Sequence, residues 1–215
     1  MAQMKIDELN TLSDFSVNEN SVFDYQDFID HYFDPMQISK KQKKERKELA
    51  RELMDIVLYF LIWCDEFPEQ AKIKDVQRKF ENLYKEKVFG YAEPSTFFDK
   101  YIPLLISQLI ETTLKHPGEE YFTSVERAAT IACNESNTVF GNQEYQNAKA
   151  LGKTKKVWLT ELDDKVRTSH REKESETIPI DDYFVFEDCM MLYPHDYLNG
   201  TPEQLVNCRC VCSYK

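Results

Sequence analysis

Sulfur is concentrated near the end of the chain, where three of its six cysteines fall within the five residues CRCVC. Alternate side chains of an extended segment point to the same side, so Cys208, Cys210 and Cys212 are expected to share one face. Neighbours on such a face lie roughly 6.5–7 Å apart, and two thiolates can reach a common zinc ion at about 2.3 Å where the strand bends. The spacing therefore allows a metal site, and it also fits reduced thiols packed in a small core.

A second group of reactive side chains lies in the segment ELDDKVRTSHREK, residues 161–173, for which the sequence predicts a helix with Thr160 as N-cap. Asp163, Arg167 and His170 are spaced i, i+4 and i+7, so a helix would place them on one face. Asp163 would hold Arg167, whose remaining donors could bind a carboxylate elsewhere. The alternative is a surface ion pair that contributes roughly a few tenths of a kcal/mol.

Together these two groups could supply the ligands of a tetrahedral zinc site. The candidates are His170, Cys208 and Cys210, with His195 or Asp196 of the segment YPHDY as the fourth ligand. Against such a site, C-x-C lacks the geometry of a C-x-x-C knuckle, and the sequence has no second pair of this kind. The sequence therefore favours packed thiols and no cofactor, with a structural zinc as the alternative.

Sequence patterns typical of catalysis are few. With 5 glycines the chain has neither a phosphate-binding loop nor a G-x-S-x-G turn, and no glycine-rich turn frames a cysteine. We therefore predict no catalytic residue. The competing hypothesis is a transferase or hydrolase that uses Arg167, His170 and Glu135, which would have to converge on an open cleft and have perturbed pKa values.

Charge limits the partners that the chain can bind. A net charge of −11 is opposite in sign to that of a general nucleic-acid binder, because phosphate contacts need Lys and Arg. One basic run, KKQKKERK, interrupts the acidic sequence. It is typical of a solvated helix face, and the alternative is a docking patch for DNA or an acidic partner. The residues of that patch would be Lys40, Lys41, Lys43, Lys44, Arg46 and Lys47.

Membrane contact is not expected. The longest apolar run, LMDIVLYFLIWC, has twelve residues and contains Asp55, so it is too short and too polar to span a bilayer. The first residues, MAQMKIDELN, do not form a secretory signal with a charged and then an apolar part. The six cysteines are therefore expected to stay reduced, and a disulfide framework is the least expected use of them.

The elements that must position these side chains begin with helices. Aromatic residues at helical spacing predict a short helix over 22–35, and Ser39 with Gln42 forms a capping box that opens a helix to about Phe67. Three further helices are predicted: one over 69–88, one that follows Ser95 and that Pro103 bends or divides, and one that a capping box of Thr123 and Glu126 opens and that ends near Leu151.

The pattern changes after the residues LGK. The segment KKVWLT (155–160) is typical of a strand, and residues 177–187 and the cysteine tail are expected to be extended. The predicted fold class is therefore α+β, with a helical N-terminal region followed by a small C-terminal α+β unit. We divide the chain into an acidic arm with a short helix (1–37), a helical region (38–120) and a C-terminal domain (121–215).

Five short segments of this C-terminal domain occur in the order ERAATIACNES, KKVWLTELDDKVRTSH, IPIDDYF, YPHD and NCRC. The series resembles the phage Mu F-like minor head proteins, the head-morphogenesis family of tailed bacteriophages, over about residues 126–212. The family pattern has an IA-x-x-E motif, a tryptophan strand, a D-x-x-x-R-x-x-H helix, a proline-containing turn and a terminal N-C-R-C. The matching residues are Ile131, Ala132, Glu135, Trp158, Asp163, Arg167, His170 and Asn207 to Cys210.

Some positions differ from the family pattern. Cys133 and Asn134 stand where the family usually has arginine and threonine, and Ser175 stands where it usually has a glycine. The P-G-D-P turn of the family reads PHDY here. The residues before about position 120 match no family pattern.

The resemblance implies a minor capsid component that is present in several copies per virion. It would associate with the portal protein, the major capsid protein or both during head assembly, and contact with packaged DNA is a further expectation. Its location would be the capsid interior or the portal vertex, and the host cytoplasm during assembly. On this view the motif residues form a buried polar network that fixes how helix, strand and tail meet. That network would comprise Glu135, Asp163, Arg167, His170, Asn207 and Arg209.

Overall fold

The computed structural model describes residues 23–215 of the chain. The first 22 residues of the acidic arm predicted over residues 1–37 lie outside them. The predicted α+β class is confirmed, because long helices precede a C-terminal region of short antiparallel strands. No helix in this described part has both the length and the apolar character that a membrane span requires.

The described residues form two compact units, each built from segments that are distant in sequence. The first unit contains residues 23–27 and 49–132, and the second contains residues 28–48 and 133–215. The predicted domain boundaries after residues 37 and 120 separate consecutive segments instead, and they remain a prediction.

The helices before the strands largely follow the predicted pattern. They are α1 (Tyr25–Phe33), α2 (Lys40–Glu66), α3 (Pro68–Ala71), α4 (Lys74–Val88), α5 (Thr96–Leu114) and α6 (Val125–Ala150), with a 3-10 helix over Glu120–Thr123. The helix predicted over 69–88 is thus divided between α3 and α4. Pro103 lies inside α5 and does not divide it, because buried residues on both sides of the proline, including Ile102 and Ile106, hold the helix in the core.

Aromatic side chains of α2 and α4 meet in the core of the first unit. Phe80 of α4 packs against Phe60 and Trp63 of α2, with ring centroids 4.1 and 5.6 Å away. All three side chains are buried. The apolar face of α2 therefore packs against a partner helix within the first unit.

Local capping starts both long helices. At α2 the backbone N–H of Ser39 donates to Gln42 Oε1 at 3.0 Å, and the N–H of Gln42 donates to Ser39 Oγ at 3.2 Å, so the predicted capping box is confirmed. At α6 the prediction of Thr123 is wrong by one residue. Ser124 Oγ accepts the backbone N–H of Arg127 at 3.1 Å, because Thr123 is still part of the preceding 3-10 helix.

A small antiparallel sheet forms the centre of the second unit. Its strands are β1 (Lys155–Leu159), β2 (Thr177–Pro179) and β5 (Val211–Tyr214) in the order β2-β1-β5, and β3 (Phe184–Val185) pairs with β4 (Met190–Met191). Two short helices, α7 (Thr168–Arg171) and α8 (Pro202–Leu205), complete the unit. Trp158 of β1 lies opposite Cys212 of β5 and is fully buried, so the central strand carries the core.

The helix predicted over 161–173 is largely wrong, because only the four residues of α7 are helical there. Thr160 does not cap a helix; its N–H donates to Glu174 Oε2 at 2.6 Å. Leu162 has φ 57°, which breaks a right-handed helix, and Glu161 Oε1 accepts the backbone N–H of Gln37 at 3.0 Å. These contacts with distant residues override the local preference for a helix.

Candidate functional site

Two cysteine sulfurs and one imidazole nitrogen form a cluster in the second unit. The ligand atoms of His170, Cys208 and Cys210 lie within 4.8 Å of one another, and all three side chains are buried. His170 Nδ1 is 3.6 Å from Cys208 Sγ and 3.4 Å from Cys210 Sγ. The structure therefore brings together three of the candidate metal ligands that the sequence indicated.

The imidazole of His170 is held from two sides. The rings of Trp158 and Phe186 pack against it, with centroids 5.3 and 5.4 Å away. On the opposite edge, His170 Nε2 lies 3.0 Å from Gln204 Oε1, and Gln204 Nε2 donates to Asp188 Oδ1 at 2.9 Å. Because the carboxylate accepts from the amide, the amide oxygen must face His170, so Nε2 carries the proton and Nδ1 presents its lone pair to the sulfurs.

Sequence reasoning missed Gln204 and Asp188. Neither residue belongs to a motif with a known spacing, and they act on His170 only through contacts that the fold creates. Asp188 also accepts a hydrogen bond from Thr201 Oγ1 at 2.6 Å, and this bond is the main reason why the pKa of its carboxyl group is lowered.

The turn before the cysteine tail brings His195 to the same cluster. His195 is buried, with 2% of its surface exposed, and it contacts the Cys208 side chain. Its φ of 66° lies in the left-handed region, and its Nε2 has no hydrogen-bond partner within residues 23–215. Asp196, the other candidate for a fourth ligand, instead accepts the N–H of Leu192 at 2.9 Å and the side-chain N–H of Asn199 at 2.8 Å.

The three cysteines of the tail differ in their surroundings. Burial acts to raise the pKa of Cys208, but a hydrogen bond from Cys210 and the nearby histidines outweigh it, so the pKa is lowered. The same hydrogen bond, together with burial, raises the pKa of Cys210. Cys212 lies in β5 outside the cluster, and burial raises the pKa of its thiol to about 12. The three cysteines therefore do not form one site, although they were predicted to share one face.

The residues of the predicted polar network make several contacts that the sequence did not predict. Asp163 pairs with Arg209, whose Nη2 is 2.8 Å from Asp163 Oδ2, whereas the predicted partner Arg167 donates to the carbonyl oxygen of Val206. The Asn207 N–H donates to the side-chain oxygen of Asn134 at 2.8 Å, and His170 belongs to the sulfur cluster. Glu135 is buried near Tyr197, whose pKa is raised first by burial and then by this carboxylate.

Some side chains of the basic run at the start of α2 make contacts within the second unit. Arg46 is buried, and its Nη2 donates to Glu144 Oε1 at 2.9 Å, so it cannot belong to an exposed docking patch. Lys47 pairs with Asp34 at 2.6 Å, and Lys43 donates to the carbonyl oxygen of the same aspartate. The exposed residues of the predicted patch are Lys40, Lys41 and Lys44.

Two small clefts reach the sulfur cluster. Each has a volume of about 10 Å³, room for about one water molecule. Arg167 and His170 line one of them together with Glu161, whose pKa is raised by burial to about 7. Glu135 is not among its lining residues, so the three residues of the enzyme hypothesis do not share this cleft.

The arrangement of β1, α7 and the cysteine tail is that of a compact module with a filled, sulfur-rich interior. The family described as Phage Mu protein F like protein matches residues 104–213, just over half of the 215-residue chain. The chain therefore belongs to this family, and the resemblance seen in its motifs is confirmed.

A relative from Enterococcus faecalis (strain ATCC 700802 / V583) is similar over part of its length. It is the NAD(+)--arginine ADP-ribosyltransferase EFV, which is 31% identical over 97 residues, or 43% of this chain and 20% of that protein. The chain thus spans about a fifth of the relative's length. No solved structure matches the chain.

Proposed function

We propose that this chain is a minor head protein of a bacteriophage that associates with the portal vertex during head assembly. The observation that carries the proposal is the family match over residues 104–213, which includes the sheet and the sulfur cluster. Several copies would be present in each virion, in the capsid interior or at the portal vertex. Assembly would take place in the host cytoplasm.

The interior of the second unit favours a structural role over a catalytic one. Sites for small molecules usually have volumes of about 300–1,000 Å³, far larger than the clefts of about 10 Å³ beside the sulfur cluster. The relative that is named as an ADP-ribosyltransferase shares only a fifth of its length with this chain. We therefore propose that the chain acts in assembly and not as an enzyme.

Binding to the portal or capsid protein can be tested with the proteins encoded by the same phage. Each would be co-expressed with this chain and analysed by affinity capture followed by size-exclusion chromatography. We expect a stable complex with the portal protein. Failure to bind the portal protein and every capsid subunit would refute the assembly function.

The exposed lysines of the basic run offer a contact for DNA or for an acidic surface of the partner. Lys41 and Lys44 are only loosely paired, with Nζ atoms 3.6 Å from Glu45 and Glu48. The triple variant Lys40→Ala, Lys41→Ala, Lys44→Ala should fold normally and bind portal protein or DNA more weakly, with a smaller salt dependence. Unchanged binding of both would remove this surface from the proposal.

The location in the virion can be measured in purified phage particles. Quantitative mass spectrometry should detect several copies of the chain per particle. Protease added to intact particles should leave an interior protein uncut, whereas particles opened by chelation or heat should expose it. A chain absent from purified particles would not be a virion component.

A further inference from the structure

We propose that one zinc ion binds between His170, Cys208, Cys210 and His195 and holds the cysteine tail against α7 and the turn that carries His195. All four residues belong to the second unit. The proposal stands independently of the function proposed above. Four protein ligands leave no open position for a substrate, so the site would be structural.

The spacing of the three clustered ligand atoms fits a tetrahedral ion. With Zn–S distances of about 2.3 Å and Zn–N distances of about 2.05 Å, tetrahedral angles place a ligand nitrogen about 3.6 Å from a ligand sulfur. The observed separations from His170 Nδ1 are 3.6 Å to Cys208 Sγ and 3.4 Å to Cys210 Sγ. Both nitrogen–sulfur separations therefore agree with those of a tetrahedral zinc site.

The hydrogen bonds behind His170 are those that a metal-binding histidine needs. Such a histidine donates its other ring N–H to an acceptor that fixes the tautomer and the ring orientation. Here Gln204 Oε1 accepts from Nε2 at 3.0 Å, and Asp188 fixes the amide through Gln204 Nε2 at 2.9 Å. The lone pair of Nδ1 is thus directed to the two sulfurs before any ion arrives.

His195 is the candidate for the fourth ligand. It is buried, its Nε2 has no hydrogen-bond partner among the described residues, and its side chain contacts Cys208. A non-glycine residue at φ 66° is unfavourable, so the surrounding structure must hold His195 in this conformation. His195 lies outside the group of atoms within 4.8 Å, so its imidazole must rotate toward the cluster to complete the tetrahedron.

The ligand set selects the class of metal. Two thiolates and two imidazoles suit zinc and other soft or borderline ions, whereas calcium and magnesium require oxygen ligands. Binding converts the two thiols to thiolates, so up to two protons are released for each ion that binds. The burial of His170, Cys208 and Cys210 fits a closed site.

The first test is the metal content of the full chain. Protein expressed in zinc-containing medium and purified under reducing conditions without chelators should contain about one zinc per chain by plasma mass spectrometry. Replacement of zinc by cobalt should give the visible absorption of a tetrahedral ion and the charge-transfer band of thiolate ligands. These two measurements need no variant, so they remain decisive even where a substitution prevents folding.

Variants then assign the ligands. Cys208→Ser and Cys210→Ser should each lose the zinc, whereas Cys212→Ser is the matched control from the same C-x-C-x-C run and should retain it. His195→Ala should weaken zinc binding, and His116→Ala, at a half-buried histidine of the first unit, should not. Gln204→Leu should weaken binding about 10- to 100-fold in a competition assay, with Glu203→Gln in the same helix as its control.

Three results would overturn the proposal. The first is wild-type protein that takes up neither zinc nor cobalt after reduction. The second is a disulfide between Cys208 and Cys210 in freshly isolated protein, detected by mass spectrometry after thiol alkylation. The third is equal loss of zinc from Cys212→Ser and Cys208→Ser, which would show that the metal is not held by the cluster. Zinc binding at full affinity in His195→Ala would show that His195 is not the fourth ligand.

Discussion

Asp163 and Arg209 form an ion pair that joins the loop after β1 to the cysteine tail, with Arg209 Nη2 2.8 Å from Asp163 Oδ2. The two residues are 46 positions apart in sequence, so no local sequence pattern predicts this ion pair. The Arg209 side chain is only 12% exposed, which shields the contact from water. Burial acts to raise the pKa of Asp163, but the bond to Arg209 outweighs it, and the pKa is lowered.

Asp163→Asn should lower the free energy of unfolding by about 1–2 kcal/mol, because Arg209 would keep a hydrogen-bond acceptor but lose its countercharge. Urea denaturation followed by circular dichroism would measure the change. Asp164→Asn, at the exposed neighbouring aspartate, is the control and should change stability by no more than about 0.5 kcal/mol. In a double-mutant cycle, Asp163 should couple more strongly to Arg209 than to Arg167; the reverse result would contradict the structure.

Arg46→Ala should destabilise the protein by about 3 kcal/mol, because the change leaves a cavity and deprives two partners of their donor. Those partners are Glu144, at 2.9 Å from Nη2, and Asn137, whose Oδ1 is 3.1 Å from Nε. Thermal and urea denaturation would measure the loss. Lys44→Ala in the same helix is the control and should have little effect. Equal stability of the two variants would mean that Arg46 is part of the exposed basic face after all.

Stability near pH 9 should depend on Lys156. Its side chain is buried in β1, and Nζ donates to the carbonyl oxygen of Ile180 at 2.7 Å. Burial lowers its pKa from 10.5 to about 8. The groups that oppose this shift are Cys212, Asp181, Asp196 and Asp182.

Between these two pKa values the unfolded chain binds more protons at Lys156 than the folded chain does. The stability of the wild type should therefore rise with pH relative to Lys156→Met, by up to about 1.4 kcal/mol per pH unit. Urea denaturation at several pH values between about 7.5 and 10 measures this difference. Lys155→Met, at the exposed neighbour in β1, should behave as the wild type does. A difference that falls with rising pH would contradict the assignment.

Ser175→Gly should raise stability by about 0.5–1 kcal/mol. Ser175 has φ 62°, where a side chain is unfavourable, and glycine removes that penalty. Its N–H donates to the carbonyl oxygen of Trp158 at 2.9 Å, so the turn is fixed by the sheet. Glu172→Gly, at φ −65°, is the control and should instead lower stability by about 1 kcal/mol. Thermal denaturation of both variants compares them, and losses of equal size would refute the argument.

The family pattern usually has a glycine where Ser175 stands, and the left-handed backbone supplies the physical reason. The same reasoning applies to Asn207, with φ 57°, because asparagine tolerates this conformation better than most residues. At these positions the family pattern therefore reflects the backbone conformation that the fold requires. Its Asp, Arg and His were predicted to share one helix face, and that interpretation is wrong.

Contacts between residues close in sequence could be predicted, and contacts between distant residues could not. The Ser39–Gln42 capping box needs only a spacing of three, and β1 follows from its β-branched and aromatic residues. The loop at 161–167 depends on Gln37, which lies more than a hundred positions earlier. No propensity of the loop itself contains that information.

The candidate ligands were predictable from residue type, because few side chains bind soft metals. The residues that support these ligands could not be predicted. Gln204 and Asp188 are ordinary polar residues. Gln204 of α8 contacts His170 of α7, and Asp188 in turn accepts a hydrogen bond from Gln204. The burial of Arg46 could not be predicted for a similar reason, because the lysines beside it made the whole basic run typical of an exposed helix face.

The hydrogen bond from the Tyr32 hydroxyl to the Cys208 carbonyl oxygen, 2.7 Å long, sets an order of events during protein synthesis. The two residues are 176 positions apart, so the second unit cannot close until the residues up to Cys208 have left the ribosome. At translation rates of about 5–20 residues per second, the delay is on the order of 10 to 35 seconds. During that time the apolar side chains of α1, including Ile29 and Phe33, have no finished core to enter. The nascent chain therefore exposes an apolar segment that chaperones can bind before folding buries it.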